Sequence, residues 1–457
     1  ERDPGPVSEA VAPSGPAGKL TTGDLRSTIL RLAAPTVAMM AFNTGFNVID
    51  SIWVGQLIGP AALAAVSTAG FTVWVMMSLA EMLDVGVVAL AAHRHGARAP
   101  DQAARVAAAA LVTGLVAGLL ASFAGLAALP KLFDLMQVPP EVAVLGHTYL
   151  HTWLLGAPLV FGFFALEATF RSSGDTTTPF MVLAASAVVS VILDPLLIAG
   201  IGPFPRLGVE GAALASVMVR GVACLALVWL AFRRGHIHFR APDWASAPHI
   251  LRIGLPYSMS GILFSLVYMW LTRFTSRFGT PALAALGVGH KVEGVGFVAI
   301  TGFTLAAAAL VGQSLGAKDE ARARKAAWHT VGYALLVTTC TALACLLVPR
   351  FFVRLFTSDP QVIANGTGYL RIIAMAQIGQ TFELILEGAL AGAGYTFWPM
   401  VWSSSLTFAR IPLAAWWSGI WGVTGIWWAI SLTATLRGVA MTVLWLSGAW
   451  RPVPRTA

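Results

Sequence analysis

Of 457 residues, 57% are hydrophobic and 11% are charged, with a mean hydropathy of +0.75 and a formal net charge of +8. A soluble domain carries about 25% charged residues, so this surface would not stay dissolved in water. That excludes the two to four soluble units that length alone would suggest at ~100–200 residues each. The chain reads instead as an all-α polytopic membrane protein. A transmembrane β-barrel is excluded too, because its segments alternate apolar and polar over ~10 residues, whereas the apolar runs here are long and continuous. In such a chain the basic residues set topology rather than bind nucleic acid.

The first 25 residues, rich in Pro, Gly and Ser, read as a disordered cytoplasmic tail. Helices are expected near 29–57, 61–92, 104–129, 141–171, 177–201 and 209–232, then near 249–277, 281–315, 322–347, 361–391, 397–420 and 424–448. Each reaches the ~20 residues a bilayer crossing needs. Cys224, Cys340 and Cys345 fall inside apolar runs and read as small core residues rather than a disulfide or zinc framework. With the N-terminus inside, the tails and even-numbered loops hold 18 Lys and Arg residues and the opposite side six. Five more, Arg220, Lys291, Arg371, Arg410 and Arg437, lie within spans. This bias predicts twelve helices with both termini cytoplasmic.

Displaced by 220 residues, the chain matches itself. GPAALAAV at 59–66 lies over GTPALAAL at 279–286, and HRHGAR at 93–98 over QSLGAK at 313–318. Glu167, Gly174 and Pro179 lie over Glu387, Gly394 and Pro399, and Arg220-Gly-Val pairs with Arg437-Gly-Val. Two six-helix lobes follow, 26–240 and 241–457, related by a pseudo-two-fold axis along the membrane normal. Tandem halves of this kind form a central cavity that opens alternately to each side.

Eight of the 21 acidic residues sit inside expected spans: Asp50, Glu81, Asp84, Glu167, Asp194, Glu293, Glu383 and Glu387. Each costs ~3 kcal/mol at mid-bilayer, so it must face a cavity or a partner. Asn43, Asn47 and Asp50 fall at i, i+4 and i+7 and form one polar stripe, and Ser190 and Asp194 are likewise i, i+4. Asp194 precedes Pro195, whose kink frees a carbonyl beside the carboxylate. That combination suits a small cation or a gated proton. Glu167 and Glu387 are repeat mates close to a loop, while Glu81 and Asp84 call for Arg220 or another in-span cation. Lys291 and Glu293 diverge on their helix and need separate partners. His147 and His151 face the same way without a third metal ligand in view, and most of the late tryptophans should anchor the interface.

These segments together resemble the multidrug and toxic compound extrusion (MATE) family, bacterial type, over nearly all of 25–450. The resemblance is carried by FNVIDSIWVGQLIGPAALAAV at 46–66, FRSSGDTTTPF at 170–180, ILDPLLI at 192–198, GVEGAALAS at 208–216 and GHKVEGVGF with LVGQSLGAKDEARARKAAW. It implies a V-shaped pair of lobes and antiport of a small organic substrate, cationic or amphipathic, against H⁺ or Na⁺, by a monomer needing no other cofactor. Asp50 and Asp194 match the family's cation-binding carboxylates, and Asn47, Ser190 and Ser216 stand where further polar groups are usual. Ser190 and Glu167 each replace a frequent Asn. The seventh helix lacks the carboxylate of the NorM-like branch, and Gln380 stands near its tenth-helix Asp, which favours a DinF-like branch. A flippase or amphipathic metabolite exporter is the alternative, and it would call for a more basic cavity. No HExxH, Asp-rich prenyl-diphosphate or contextual GxSxG motif supports an enzyme, and no phosphate-binding loop supports direct ATP use.

Overall fold

The computed structural model describes residues 20–21, 23–136, 140–238 and 242–451, without the side chains of residues 43, 46–48, 51, 60, 64, 134–136, 273 and 280. Its elements are α1 (Leu25–Leu57), α2 (Pro60–Gly96), α3 (Pro100–Met136), α4 (Pro140–Leu155), α5 (Ala157–Ser173), α6 (Thr177–Ala199) and α7 (Val209–Arg233), then α8 (Ser246–Thr275), α9 (Thr280–Gly316), α10 (Glu320–Leu347), α11 (Pro349–Arg354), α12 (Pro360–Gly392), α13 (Phe397–Trp421) and α14 (Val423–Ser447). Eight of these helices are individually long and apolar enough to cross a membrane, and the pair α4 and α5 makes a ninth. Helices α1, α12 and α13 complete the twelve. The 33-residue α12 falls short on hydropathy because Arg371, Gln377, Gln380, Glu383 and Glu387 interrupt it.

The fourth span, expected as one helix, is bent by 50° between α4 and α5. Gly156 separates the two, and Pro158 in the first turn of α5 has no N–H to continue the ladder. The short α11, begun by Pro349, was not legible in the apolar pattern. Residues 1–19 lie outside the described chain. Leu20 is buried against Gly174, and its carbonyl accepts from Nε of Arg322 at 3.0 Å. The chain therefore already packs onto both lobes before α1 begins.

Lipid supplies no hydrophobic drive between helices, so small residues that admit close backbone approach hold them together. Within the first lobe α2 packs on α3, α4 and α5, and α6 joins α1 to α7; in the second, α12 packs on α9, α10 and α14, and α13 joins α8 to α14. Across the lobes α2 lies along α8 and α1 along α9, two contacts that the two-fold axis exchanges. The axis itself is marked by glycine. A Cβ on Gly96 would stand 1.9 Å from the Gln313 carbonyl oxygen, and one on its repeat mate Gly316 would stand 2.0 Å from that of His93. Gly254 meets the Met82 carbonyl as closely, and Gly86 that of Ile250. These contacts seal the ends of α2 and α9 together with the start of α8.

The outer surface is apolar, with Leu120, Phe123, Val189, Leu225, Leu336 and Leu446 exposed. Trp398, Trp402, Trp416, Trp421 and Trp428 are exposed as anchors should be, but Trp427 is buried edge-on to Tyr369. Cys224 and Cys345 are buried, whereas Cys340 is exposed rather than in the core.

Candidate functional site

Two polar clusters sit inside the lobes, at positions related by the repeat. In the first, α1 brings Asp50 and α6 brings Asp194, which are 6% and 0% exposed. Arg220 on α7 lies within Coulombic range of both carboxylates and of Tyr149 on α4. Oδ1 of Asp50 is buried and has no hydrogen-bond partner among the described residues. The Ser190 hydroxyl stands 3.4 to 3.5 Å from the two oxygens of Asp194. That is longer than the 2.5–3.0 Å of a normal O–H···O bond, so Ser190 holds Asp194 only weakly. Ser216 is buried one turn before Arg220, on the same face of α7. Pro195 sits within α6 and leaves the Val191 carbonyl without its helical donor. Asn43 and Asn47 belong to the same stripe of α1, but their side chains lie outside the described residues.

In the second lobe Arg437, the repeat mate of Arg220, has different company. Its Nη1 donates to Glu383 at 2.9 Å, with both side chains buried. Arg410 on α13 is fully buried and donates from Nε to Thr433 at 2.8 Å. A cavity of about 330 Å³ lies beside them, lined among others by Phe264, Tyr268, Glu293, Gln380, Arg410 and Arg437. Trp74 of α2 lines it too, so it faces the space between the lobes. Glu293 accepts from the Tyr369 hydroxyl at 2.8 Å and stands 3.3 Å from Nδ1 of His290. Lys291, diverging as expected, lies over the Phe356 ring.

A third buried cluster belongs to the seam. Arg171 donates from Nη1 to both oxygens of Asp84 at 2.7 and 2.8 Å and from Nη2 to Glu167. Glu81 lies within Coulombic range of all three. Nearby, Nε2 of Gln313 on α9 donates across the lobes to the Ser172 carbonyl at 2.5 Å. Glu81 and Asp84 therefore meet Arg171 and not Arg220. Arg171, at the end of the expected fourth helix, is 3% exposed. Glu167 is consumed in this ion cluster, and Glu387, which lies within Coulombic range of Glu383 and Tyr257, is not among the residues lining the cavity of Gln380 and Glu293.

The structure thus gathers Asp50, Asp194 and Ser190, sets Ser216 beside them, and places Glu293 and Gln380 in the second cavity. Sequence reasoning missed Arg410, Arg437, Tyr149 and Tyr369 as site residues. The arginines were signalled as in-span cations, but nothing in their spacing tells which carboxylates they meet. The His147 and His151 rings stack 6.4 Å apart.

Comparison with known proteins bears on the family and the fold. The MatE family model matches the chain twice, over residues 35–196 and 256–416, once in each lobe. The chain is 27% identical to the FAD transporter of Shewanella oneidensis over 431 residues, 92% of this chain and 94% of that protein. It is also 27% identical to a probable multidrug resistance protein NorM of Thermotoga maritima over 440 residues, 93% of each. Solved structures share the fold: a Vibrio cholerae MATE transporter at a TM-score of 0.86 and 21% identity, covering 95% of this chain and 99% of that one, and a MOP superfamily transporter from Pyrococcus furiosus at 0.85 and 24%, covering 96% and 99%. Twelve spans in two duplicated lobes, with buried ionic clusters facing inward and a family model matched in both halves, make this chain a membrane transporter rather than an enzyme, and it belongs to the MATE family.

Proposed function

We propose that this protein is a secondary antiporter that exports organic compounds in exchange for H⁺ or Na⁺, with the coupling site at Asp50 and Asp194. The observation that carries the reading is the pair itself: two carboxylates buried within one lobe, near one arginine, one of them with an oxygen that no described donor reaches. Anions buried in membrane protein are costly unless something neutralises them. A proton or a small cation does so reversibly, with Ser190, Ser216 and Asn47 as accessory ligands. Neutralising Asp50 removes its attraction to Arg220 and frees α1 to bend at Pro35 within the helix. Cation and substrate then bias the same two states, as reciprocal linkage requires.

The basic-residue distribution favours both termini, and hence the glycine seam, on the cytoplasmic side of the inner membrane. The lobe boundary falls near residue 240, between α7 and α8. A monomer suffices for this cycle, and the chain's Gln380 and missing α8 carboxylate favour a DinF-like branch. The test is exchange in proteoliposomes under an imposed pH or Na⁺ gradient. Coupled export is expected from the wild type and lost in Asp50→Asn; full gradient-driven exchange by that variant would sink the coupling assignment.

A second reading, export of amphipathic metabolites, is favoured by Arg410 and Arg437 in the second cavity and fits the 27% identity to a protein named as an FAD transporter. The same gradients would drive it, so it alters the substrate and not the coupling.

A further inference from the structure

We infer that the second-lobe cavity is a binding site for an aromatic compound carrying a planar or tetrahedral oxyanion, a carboxylate or a phosphate ester. This rests on the transport reading above and names the substrate chemistry of its second cavity.

Arg410 provides the first support. It is fully buried and donates from Nε to Thr433, while Nη1 and Nη2 make no well-aligned hydrogen bond among the described residues, the Tyr268 hydroxyl being the neighbouring group that approaches the guanidinium. A guanidinium fixed at Nε presents its two terminal nitrogens as a fork, the geometry that binds carboxylate or phosphate through two parallel bonds. Arg437 adds a second donor, because its Nη1 is held by Glu383 while its buried Nε is unpartnered. Both arginines line one cavity. Glu383 holds Arg437 through Oε1, with Oε2 unpartnered among the described residues and in Coulombic range of Arg410, and Glu293 is held by Tyr369 and His290; neither forms an ion pair with Arg410.

The aromatic half of the site stands beside the fork. The Phe264 ring lies between the two guanidiniums, 5.9 Å from that of Arg410 and 5.5 Å from that of Arg437. Tyr268 lies 5.3 Å from Arg410 and 4.5 Å from Phe264, and His290 continues the row at 4.8 Å. Rings held against cations are pre-organised to take a further flat ring. The volume, about 330 Å³, is at the small end of the ~300–1,000 Å³ of ligand sites, enough for a ring system and its anionic group. A lipophilic cation entering here would meet two guanidiniums; an anion meets unused donors.

The experiment measures binding of flavin mononucleotide, an aromatic phosphate ester, to the full chain in nanodiscs of zwitterionic lipid, by quenching of its fluorescence. Uncharged riboflavin and cationic ethidium serve as comparisons. The expected result is saturable binding of the phosphate ester, with riboflavin weaker by about tenfold or more, the worth of a charge-assisted hydrogen bond. Arg410→Gln should remove that difference, whereas Arg410→Lys, which keeps the charge and loses the fork, should remove only part of it. Equal affinity for the ester and riboflavin in the wild type overturns the inference whether or not either variant folds. So does abolition of ester binding by phosphatidylglycerol in the disc, since the site would then be a lipid headgroup's. The two readings fail separately. If ethidium exchange is gradient-driven and Asp50-dependent but the ester does not bind, the antiporter stands and this site falls. If the ester binds through Arg410 while exchange ignores Asp50, the site stands and the coupling assignment falls.

Discussion

The two lobes started from one sequence, and their inner clusters now differ in the company kept by one repeated arginine. Arg220 lies near two carboxylates on α1 and α6, one of them with an oxygen that no described residue engages. Arg437 binds Glu383, whose other oxygen is likewise unengaged among the described residues, and has a second buried arginine near by. On the reading proposed above, a duplicated scaffold offers one half to a cation and the other to an anion. The helices are conserved between the halves; the chemistry they hold is not.

The largest effect that can break this contrast is on coupling. Asp50→Asn and Asp194→Asn should each abolish gradient-driven exchange in proteoliposomes, while Glu293→Gln in the second lobe should leave it intact. If the Glu293 variant is equally uncoupled, both lobes handle the cation and the division of labour is wrong. Next comes the ion cluster at the seam. Arg171→Met leaves Asp84 and Glu167 buried without their cation and should cost about 3–5 kcal/mol, read as a fall in stability to denaturant in detergent. Its retention of wild-type stability would mean that these carboxylates take another partner.

The seam itself should respond more mildly. A methyl at Gly254 would stand 1.8 Å from the Met82 carbonyl oxygen, so Gly254→Ala must push α8 from α2. Overpacking of this kind costs about 1–3 kcal/mol, and cysteine labelling along α2 should report greater access at this end than in the wild type. Ser190→Ala should change cation dependence by less than about 1 kcal/mol, since its approach to Asp194 is too long for a good hydrogen bond. A change as large as that of Asp194→Asn would show that the hydroxyl moves in to bind the ion.

The smallest effect is a control outside both clusters. Asp24 caps α1 by accepting from the backbone N–H groups of Ser27 and Arg26, which hold its carboxyl below the ordinary 3.8. Its stabilising contribution is thus present above the unfolded value and fades as pH falls through the lower folded one. Asp24→Asn, which keeps a cap oxygen, should flatten that acid limb slightly and leave exchange at neutral pH unchanged.

Much of this was legible in the chain. Long apolar runs force helices because lipid satisfies no backbone group. The 220-residue echo gives two lobes, and proline and glycine punctuation places most ends within a few residues. Asp50 and Asp194 stood out because a carboxylate in oil demands a reason. Spacing along one helix, however, is blind to the helix across from it. Only packing decided that Asp84 meets Arg171 rather than Arg220, that Glu167 is spent in the seam, and that Gly96 and Gly316 face each other's partners across the axis. The physical reason is range. Hydropathy and periodicity act within one turn or one span, while a buried charge is satisfied by whatever side chain the fold brings within a few ångströms, here from 87 residues away.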